Sequence, residues 1–399
     1  EVIQTGTLSY SFEGLTQQSG SITLLPKQKQ TITFPVLTVR NPRLWWPNGY
    51  GAQELYTLIL SFETHRVVSD KKSVRFGIRQ ISVSTMNVNG DQTRVFSVNG
   101  QKIFIKGGNW IGTDAMLRLS AKRYRDEVRM HAEMNLNFIR VWGGGITERP
   151  EFYDACDEYG ILVMQDFWIS GEYPESSSKD YTQIFLNCAK DTIRLLRNHP
   201  SLCFWCGANE TDPATDINTA LRCYIEGDAG QACTGYELLD GTRPYIPRST
   251  GISSDNTSQW ADGPYGIQDP PTFFALNFCP INPEVGSVGT PAVESIKRMM
   301  VAADYNDFPR DQPWNATWNH HTYIPYSNQD QEQPVKCSPT KPTAVKDQIT
   351  AYGKLSTIEE FCFRAQLTNY MQYRSLFEGI SSHMWEWYAG IFVWKSQNP

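Results

Sequence analysis

The chain has 399 residues, of which 40% are apolar and 20% charged, with a net charge of -6. Those proportions exclude a disordered polymer, and the lack of any run near 18 consecutive apolar residues excludes a transmembrane helix. An acidic balance with no Lys/Arg cluster argues against a nucleic-acid partner, and the length exceeds one ordinary core, so two domains are expected.

Residue 1 opens directly on polar, strand-like sequence with no signal peptide, which predicts a chain that is mature or excised from something longer. Residues 1–80 read as short strands separated by turn residues, without a helical period. Thr31-Ile32-Thr33-Phe34-Pro35-Val36 and Leu55-Tyr56-Thr57-Leu58-Ile59-Leu60 are the clearest. This pattern predicts an immunoglobulin-like β-sandwich. Within it, Trp45-Trp46-Pro47-Asn48-Gly49 is expected to pack at the interface with the second domain. Asn99-Gly100, between the apolar runs at 95–98 and 103–106, is a hairpin signal.

From about residue 100 strands and helices alternate. Strands are expected at 103–106, 137–142, 161–167, a run ending at Glu210, 245–248, near Pro264-Tyr265, at Glu284 and at 391–394. Helices are expected at 120–134, with Ser120 as N-cap, at 149–159 and at 181–197. Eight such units over residues 81–399 predict a (β/α)8 TIM barrel. A doubly wound open sheet is the alternative, but Gly143-Gly144-Gly145 lacks the GxGxxG spacing of a nucleotide fold.

In a barrel, the C-terminal strand ends converge on one face. That count brings Arg140, Trp142, Asp166, Asn209, Glu210, Tyr265, Glu284 and Trp394 together. Two glutamates on different strand ends are what hydrolysis of a glycosidic bond requires. Glu210, next to Asn209 in an otherwise uncharged run, is the expected acid/base, kept neutral by apolar surroundings and its neighbour's charge. Glu284, among small residues, is the expected nucleophile, held as an anion by Arg140 and Tyr265. Asn209 is placed to bind a substrate hydroxyl. Trp142, Trp394 and Trp168 are candidates to floor or wall a sugar site, and His321 and Tyr323 to reach it from a long loop. No metal is expected, because His320-His321 lacks further ligands at helical spacing. A Ser-His-Asp mechanism lacks its Gly-x-Ser-x-Gly elbow.

Among nine cysteines, Cys203 and Cys206 read as buried free thiols, while Cys223 and Cys233 flank a Gly-rich loop at disulfide-closing distance. Sequons at Asn256-Thr257-Ser258 and Asn315-Ala316-Thr317 point to a glycoprotein of the secretory route. The match at Asn209-Glu210-Thr211 is expected to be buried in a site.

Several motifs together carry a family resemblance. They are Leu44-Trp45-Trp46-Pro47-Asn48-Gly49, Gly107-Gly108-Asn109-Trp110, Arg140-Val141-Trp142-Gly143-Gly144-Gly145, Arg197-Asn198-His199-Pro200-Ser201, Asn282-Pro283-Glu284-Val285-Gly286 and Trp394-Lys395-Ser396-Gln397-Asn398-Pro399. The chain resembles glycoside hydrolase family 2, in its β-mannosidase and exo-β-glucosaminidase branch. The resemblance implies Glu210 as acid/base, Glu284 as nucleophile, retention of configuration and no cofactor. It also implies a β-mannoside or β-glucosaminide substrate, such as the Manβ1-4GlcNAc link of N-glycans. Flanking family domains are missing from this sequence, so other fragments or chains are expected partners. The loops after Trp168 and at 222–240 depart from the family. A non-catalytic carbohydrate-binding or scaffolding module is the alternative.

Overall fold

The computed structural model describes residues 2–88, 91–171, 179–227, 233–252, 259–260, 263, 267–275, 279–286, 289–310, 317–318 and 345–396. Tyr265, His321, Tyr323 and the sequons at Asn256 and Asn315 lie outside the described residues.

The chain opens on an antiparallel sheet of β1 (Gln4–Phe12), β2 (Leu15–Gln18), β3 (Ile22–Leu24), β4 (Tyr56–Thr64) and β5 (Val67–Phe76). Its order is β2-β1-β4-β5, with β3 also paired to β1. Tyr10, Phe12 and Tyr56 form its core, and Phe34, Leu37 and Val39 pack over them. The strand expected at 31–36 is thus present as a covering segment that joins no ladder. Pro35 has no N–H to give one.

A second antiparallel sheet comes next, of β6 (Ile81–Val88), β7 (Asp91–Val98) and β8 (Gln101–Lys102). Asn99 (φ 51°) and Gly100 (φ 80°) make the two-residue turn between Val98 and Gln101. Positive φ at both positions matches the twist of the strands they join. The ladder beyond the turn is only two residues long, because Ile103 and Phe104 leave it to enter the barrel.

The parallel sheet comprises β9 (Ile105–Trp110), β10 (Phe138–Val141), β11 (Leu162–Asp166), β12 (Leu202–Cys206), β13 (Tyr245–Ile246), β16 (Ile281–Gly286) and β17 (Gly390–Trp394). Between β13 and β16 a small antiparallel pair intervenes, β14 (Gly251–Ile252) and β15 (Gln259–Trp260). The order β13-β12-β11-β10-β9-β17-β16 pairs the last strand with the first, the closing contact of a barrel. Seven of the eight expected strands are therefore seen, and the sixth, near Pro264-Tyr265, lies outside the described residues. Each strand is buried on both faces, as parallel strands under helices are.

The helices α1 (Ala121–Glu133), α2 (Pro150–Tyr159), α3 (Lys179–Leu196) and α4 (Thr215–Ile225) follow successive strands. Ser120 accepts the Arg123 N–H as N-cap of α1. Tyr124, Val128, Phe152, Ala189, Ile193 and Ala220 turn inward onto the outer face of the sheet. Later helices are α5 (Val293–Met299), α6 (Ala302–Asn306), α7 (Val345–Thr350) and α8 (Ile358–Ser382), the longest.

The barrel interior holds Ile105, Phe138, Leu162, Met164, Cys203, Phe204, Ile246 and Phe392, plugged at its lower end by β7. Phe96 of β7 stacks on Phe204 at 4.4 Å. The first barrel strand runs later than expected, over Gly107-Gly108-Asn109 rather than ending at Lys106. The glycines belong to the strand because neighbours press against it. A Cβ on Gly107 would lie 2.6 Å from the Phe392 ring, and one on Gly108 2.2 Å from Ser396 Cβ.

Trp45 joins the two parts. It is fully buried with the barrel interior, and its Nε1–H donates to Asp157 O of α2 at 2.8 Å. Asn48 donates to Ala132 O and Leu136 O at the end of α1. The Cys223–Cys233 disulfide is formed, while Cys203 and Cys206 are buried free thiols. Trp45→Ala is expected to cost about 3–5 kcal/mol of stability, read from urea unfolding followed by fluorescence; a loss under about 1 kcal/mol would deny Trp45 this joining role.

Candidate active site

Arg140, on β10, projects from the barrel wall and is fully buried. Its five N–H groups all have acceptors. Nε and Nη2 donate to Asp166 (3.1 and 2.7 Å to Oδ2), Nη1 to Asn109 Oδ1 (3.1 Å) and Glu284 Oε1 (2.5 Å), and Nη2 also to Asn209 Oδ1 (2.6 Å). One side chain thus ties together the C-terminal ends of β9, β10, β11 and β16 and the turn after β12. Only a planar guanidinium offers that many fixed donors.

A buried arginine is costly without counter-charge, and here there are two carboxylates within 2.7 Å. Burial pulls the Arg140 pKa down, but Asp166 and Glu284 more than offset this and hold it above its ordinary value. Burial pushes the Asp166 carboxyl up, against the opposing pull of Arg140 and of the Gly143 N–H at 3.1 Å.

Glu284 sits on β16 and is 3% exposed. Asn282, two residues earlier, accepts the Glu284 N–H with its Oδ1 (3.0 Å) and donates to Gly263 O (2.6 Å). The register of β16 against β17 shifts between Asn282 and Val285, so the strand is irregular where it presents the carboxylate. Asn109 donates to Pro283 O (2.8 Å) and Val393 O (3.2 Å), binding this stretch to the neighbouring strands.

Asn209 is buried; its N–H donates to Ile169 O and its Nδ2 to Ser170 Oγ. Glu210 departs from expectation. The strand ends at Cys206, and Glu210 lies on the bend beyond it, exposed, with φ 55°. Among the described residues its side chain is exposed rather than enclosed by the apolar surroundings expected for it. Asn209 forms an isolated bridge to Ser170, and the next residue takes a left-handed conformation uncommon for a side chain. Its backbone is held on both sides, by Ser249 Oγ accepting the N–H (3.1 Å) and by Arg248 Nη2 donating to the carbonyl (2.5 Å).

Trp142 and Trp394 meet edge to face, 5.4 Å between centroids, and both are partly buried. The Trp142 Nε1–H is buried and has no acceptor among the described residues. Gly144 allows that ring to lie flat on the backbone, since a Cβ there would sit 1.9 Å from it. Trp168 is not brought to this network. It packs against Phe185 and Phe167 on the helical side, with its Nε1–H on Thr147 Oγ1 (3.1 Å).

Asn109 and Asn282 escaped the sequence reading. Asn109 was hidden because two preceding glycines read as a loop, and Asn282 because an asparagine before proline reads as a turn. Asp154, Asp157 and His199 form a cluster of metal-ligand type at the opposite, N-terminal end of β12. Arg75 pairs with Asp154, and Asp157 accepts from Ser201 N–H, so these groups already hold the chain together.

Arg140→Met is expected to destabilise the protein by about 3–5 kcal/mol, because two carboxylates then lose their counter-charge. Adding Asp166→Asn is expected to restore part of that loss. Denaturant titration of the single and double variants checks this, and a neutral Arg140→Met would refute the coupling.

Family models match the chain in two places: "Glycosyl hydrolases family 2" over residues 3–79, and "Glycosyl hydrolases family 2, TIM barrel domain" over 91–244. The mannosylglycoprotein endo-β-mannosidase of Lilium longiflorum is 41% identical over 418 residues, covering 96% of this chain and 42% of that protein. The β-mannosidase of Mus musculus is 33% identical over 63% of this chain and 30% of its own length. Among solved structures, the exo-chitosanase CsxA of Amycolatopsis orientalis superposes with a TM-score of 0.76 at 23% identity, over 99% of this chain and 45% of that one. The β-D-mannosidase from Dictyoglomus thermophilum superposes with a TM-score of 0.70 at 25% identity, over 98% and 47%. The chain spans less than half the length of each of these proteins.

Proposed function

This chain belongs to glycosyl hydrolases family 2, and on that footing we propose that it carries the active site of a retaining β-glycosidase. The observation that carries the proposal is the Arg140–Glu284 pair: a buried carboxylate at a strand end, held 2.5 Å from a permanently charged guanidinium, is an ionised nucleophile fixed in place. Glu284 attacks the anomeric carbon while Glu210 protonates the departing oxygen. Water then cleaves the glycosyl-enzyme, with Glu210 as base, and configuration is retained.

Glu210 serves as acid from an exposed bend whose backbone is clamped, so it meets the leaving group on the outer side of the site. Arg140 and Asp166 act on the sugar from behind, by fixing Glu284 and Asn209, while Asn209, Trp142 and Trp394 meet it, and Tyr265 and His321 complete that set. The Trp142 Nε1–H, without an acceptor among the described residues, supports this, since a buried donor at a site mouth suits a substrate hydroxyl.

The similarity to the lily and mouse enzymes supports a β-mannoside substrate, with the Manβ1-4GlcNAc link of N-glycans the favoured case and a β-glucosaminide the runner-up. Within this reading, residues 1–80 are an immunoglobulin-like sandwich and 81–399 the catalytic barrel. The substrate is a glycan met along the secretory route.

Glu284→Ala and Glu210→Ala are each expected to lower turnover by at least about 10³-fold in protein that circular dichroism shows to be folded, the first being less stable because Arg140 loses a counter-charge. In the Glu284 variant, azide is expected to restore turnover as a glycosyl azide of inverted configuration. Hydrolysis of a Manβ1-4GlcNAc glycopeptide and of chromogenic β-mannoside and β-glucosaminide by the natively assembled protein is the assay. Full activity in either variant, or sugar binding without hydrolysis by the unaltered protein, would overturn the reading.

A further inference from the structure

Behind the first barrel strand, a histidine that touches neither glutamate is bonded to the chain that carries Trp394. His131 lies in the last turn of α1 and is 2% exposed, with its ring against Trp110. Its Nδ1 is 2.7 Å from Glu127 O, and its Nε2 is 2.7 Å from Ser396 Oγ. A carbonyl only accepts, so Nδ1 carries the proton and the neutral ring presents a bare Nε2. The Ser396 hydroxyl therefore donates to it. Burial lowers the His131 pKa, in keeping with a neutral ring. The hydroxyl also lies 3.2 Å from Asn109 O, but its one proton serves one acceptor and the histidine is nearer. The Ser396 N–H donates to that carbonyl instead (3.3 Å).

Ser396 has little freedom to move, because its Cβ is pressed against Gly108 where no side chain fits. Two residues earlier stands Trp394, and one before that is Val393, whose carbonyl accepts from Asn109 (3.2 Å). Trp394 is thus fastened on both sides, by Asn109 within the site and by His131 outside it.

We propose that His131 is a positioning residue for this site: through Ser396 it sets where the Trp394 ring stands against Trp142. The proposal rests on the glycosidase reading for its kinetic consequence, but not for its structural one.

The test uses the natively assembled protein labelled with 5-fluorotryptophan, with the Trp394 signal assigned through Trp394→Phe. His131→Phe keeps a ring but removes the acceptor, Ser396→Ala removes the donor, and His131→Gln offers an amide oxygen in place of Nε2. His131→Phe and Ser396→Ala are expected to shift the Trp394 fluorine signal and to lower kcat/KM about tenfold, chiefly through KM. His131→Gln is expected to keep both near their original values. The double variant His131→Phe/Ser396→Ala is expected to be no worse than either single one, because both break one bond. An unmoved Trp394 signal in His131→Phe, equal damage in His131→Gln, or additive losses in the double variant would overturn the proposal. If His131→Phe does not fold, Ser396→Ala decides by the same signal. The fluorine shift is read without turnover, so a protein silent on every glycoside counts against the glycosidase reading while the signal still judges the role of His131.

Discussion

Everything at the upper end of the barrel depends on the Arg140 guanidinium. It is a charge taken wholly out of water, and such a charge persists only where counter-charges and acceptors surround it. Asp166 and Glu284 supply the first, Asn109 and Asn209 the second. Because each partner stands on a different strand or turn, satisfying one side chain fixes the mutual placement of five chain segments. The same interaction that is expensive to bury is the one that holds a carboxylate ready at the site.

That arrangement is supported from outside by apolar packing at close range. The Gly107-Gly108 stretch lets Phe392 and Ser396 approach the first strand, and β7 fills the lower end of the barrel with Phe96 against Phe204. Interiors packed to this density transmit displacements, so a residue such as His131 can act on a ring it does not touch. Trp45 and Asn48 attach the N-terminal sheet at the ends of α1 and α2, the helices that back the strands bearing Arg140 and Asp166.

The two glutamates illustrate different physics. Glu284 is buried, paired and held by its own strand, so its position follows from the barrel. Glu210 is exposed on a bend with φ 55°, where Ser249 and Arg248 hold its backbone. Under the proposed reading, Glu284 as nucleophile has to be fixed against the anomeric carbon, whereas Glu210 as acid has to reach a leaving oxygen and later a water. A clamped backbone with an outward side chain suits the second task.

The alternation of strands and helices, the ends on which Arg140, Asp166, Asn209 and Glu284 stand, and the Cys223–Cys233 bridge are all legible in the sequence. They are encoded locally, in apolar runs, capping residues and short spacings. The segment at 31–36 misleads, because its apolar pattern suits a strand while its Pro35 cannot join a ladder. The first barrel strand misleads too, because glycines demanded by distant neighbours look like a loop when those neighbours are unknown. The surroundings of Glu210, the convergence of five N–H bonds on one arginine, the parts played by Asn109 and Asn282, and the bond between His131 and Ser396 emerge only once the chain is folded. Each joins residues far apart in the chain, and no local pattern records which distant side chain will fill a given space or meet a given proton.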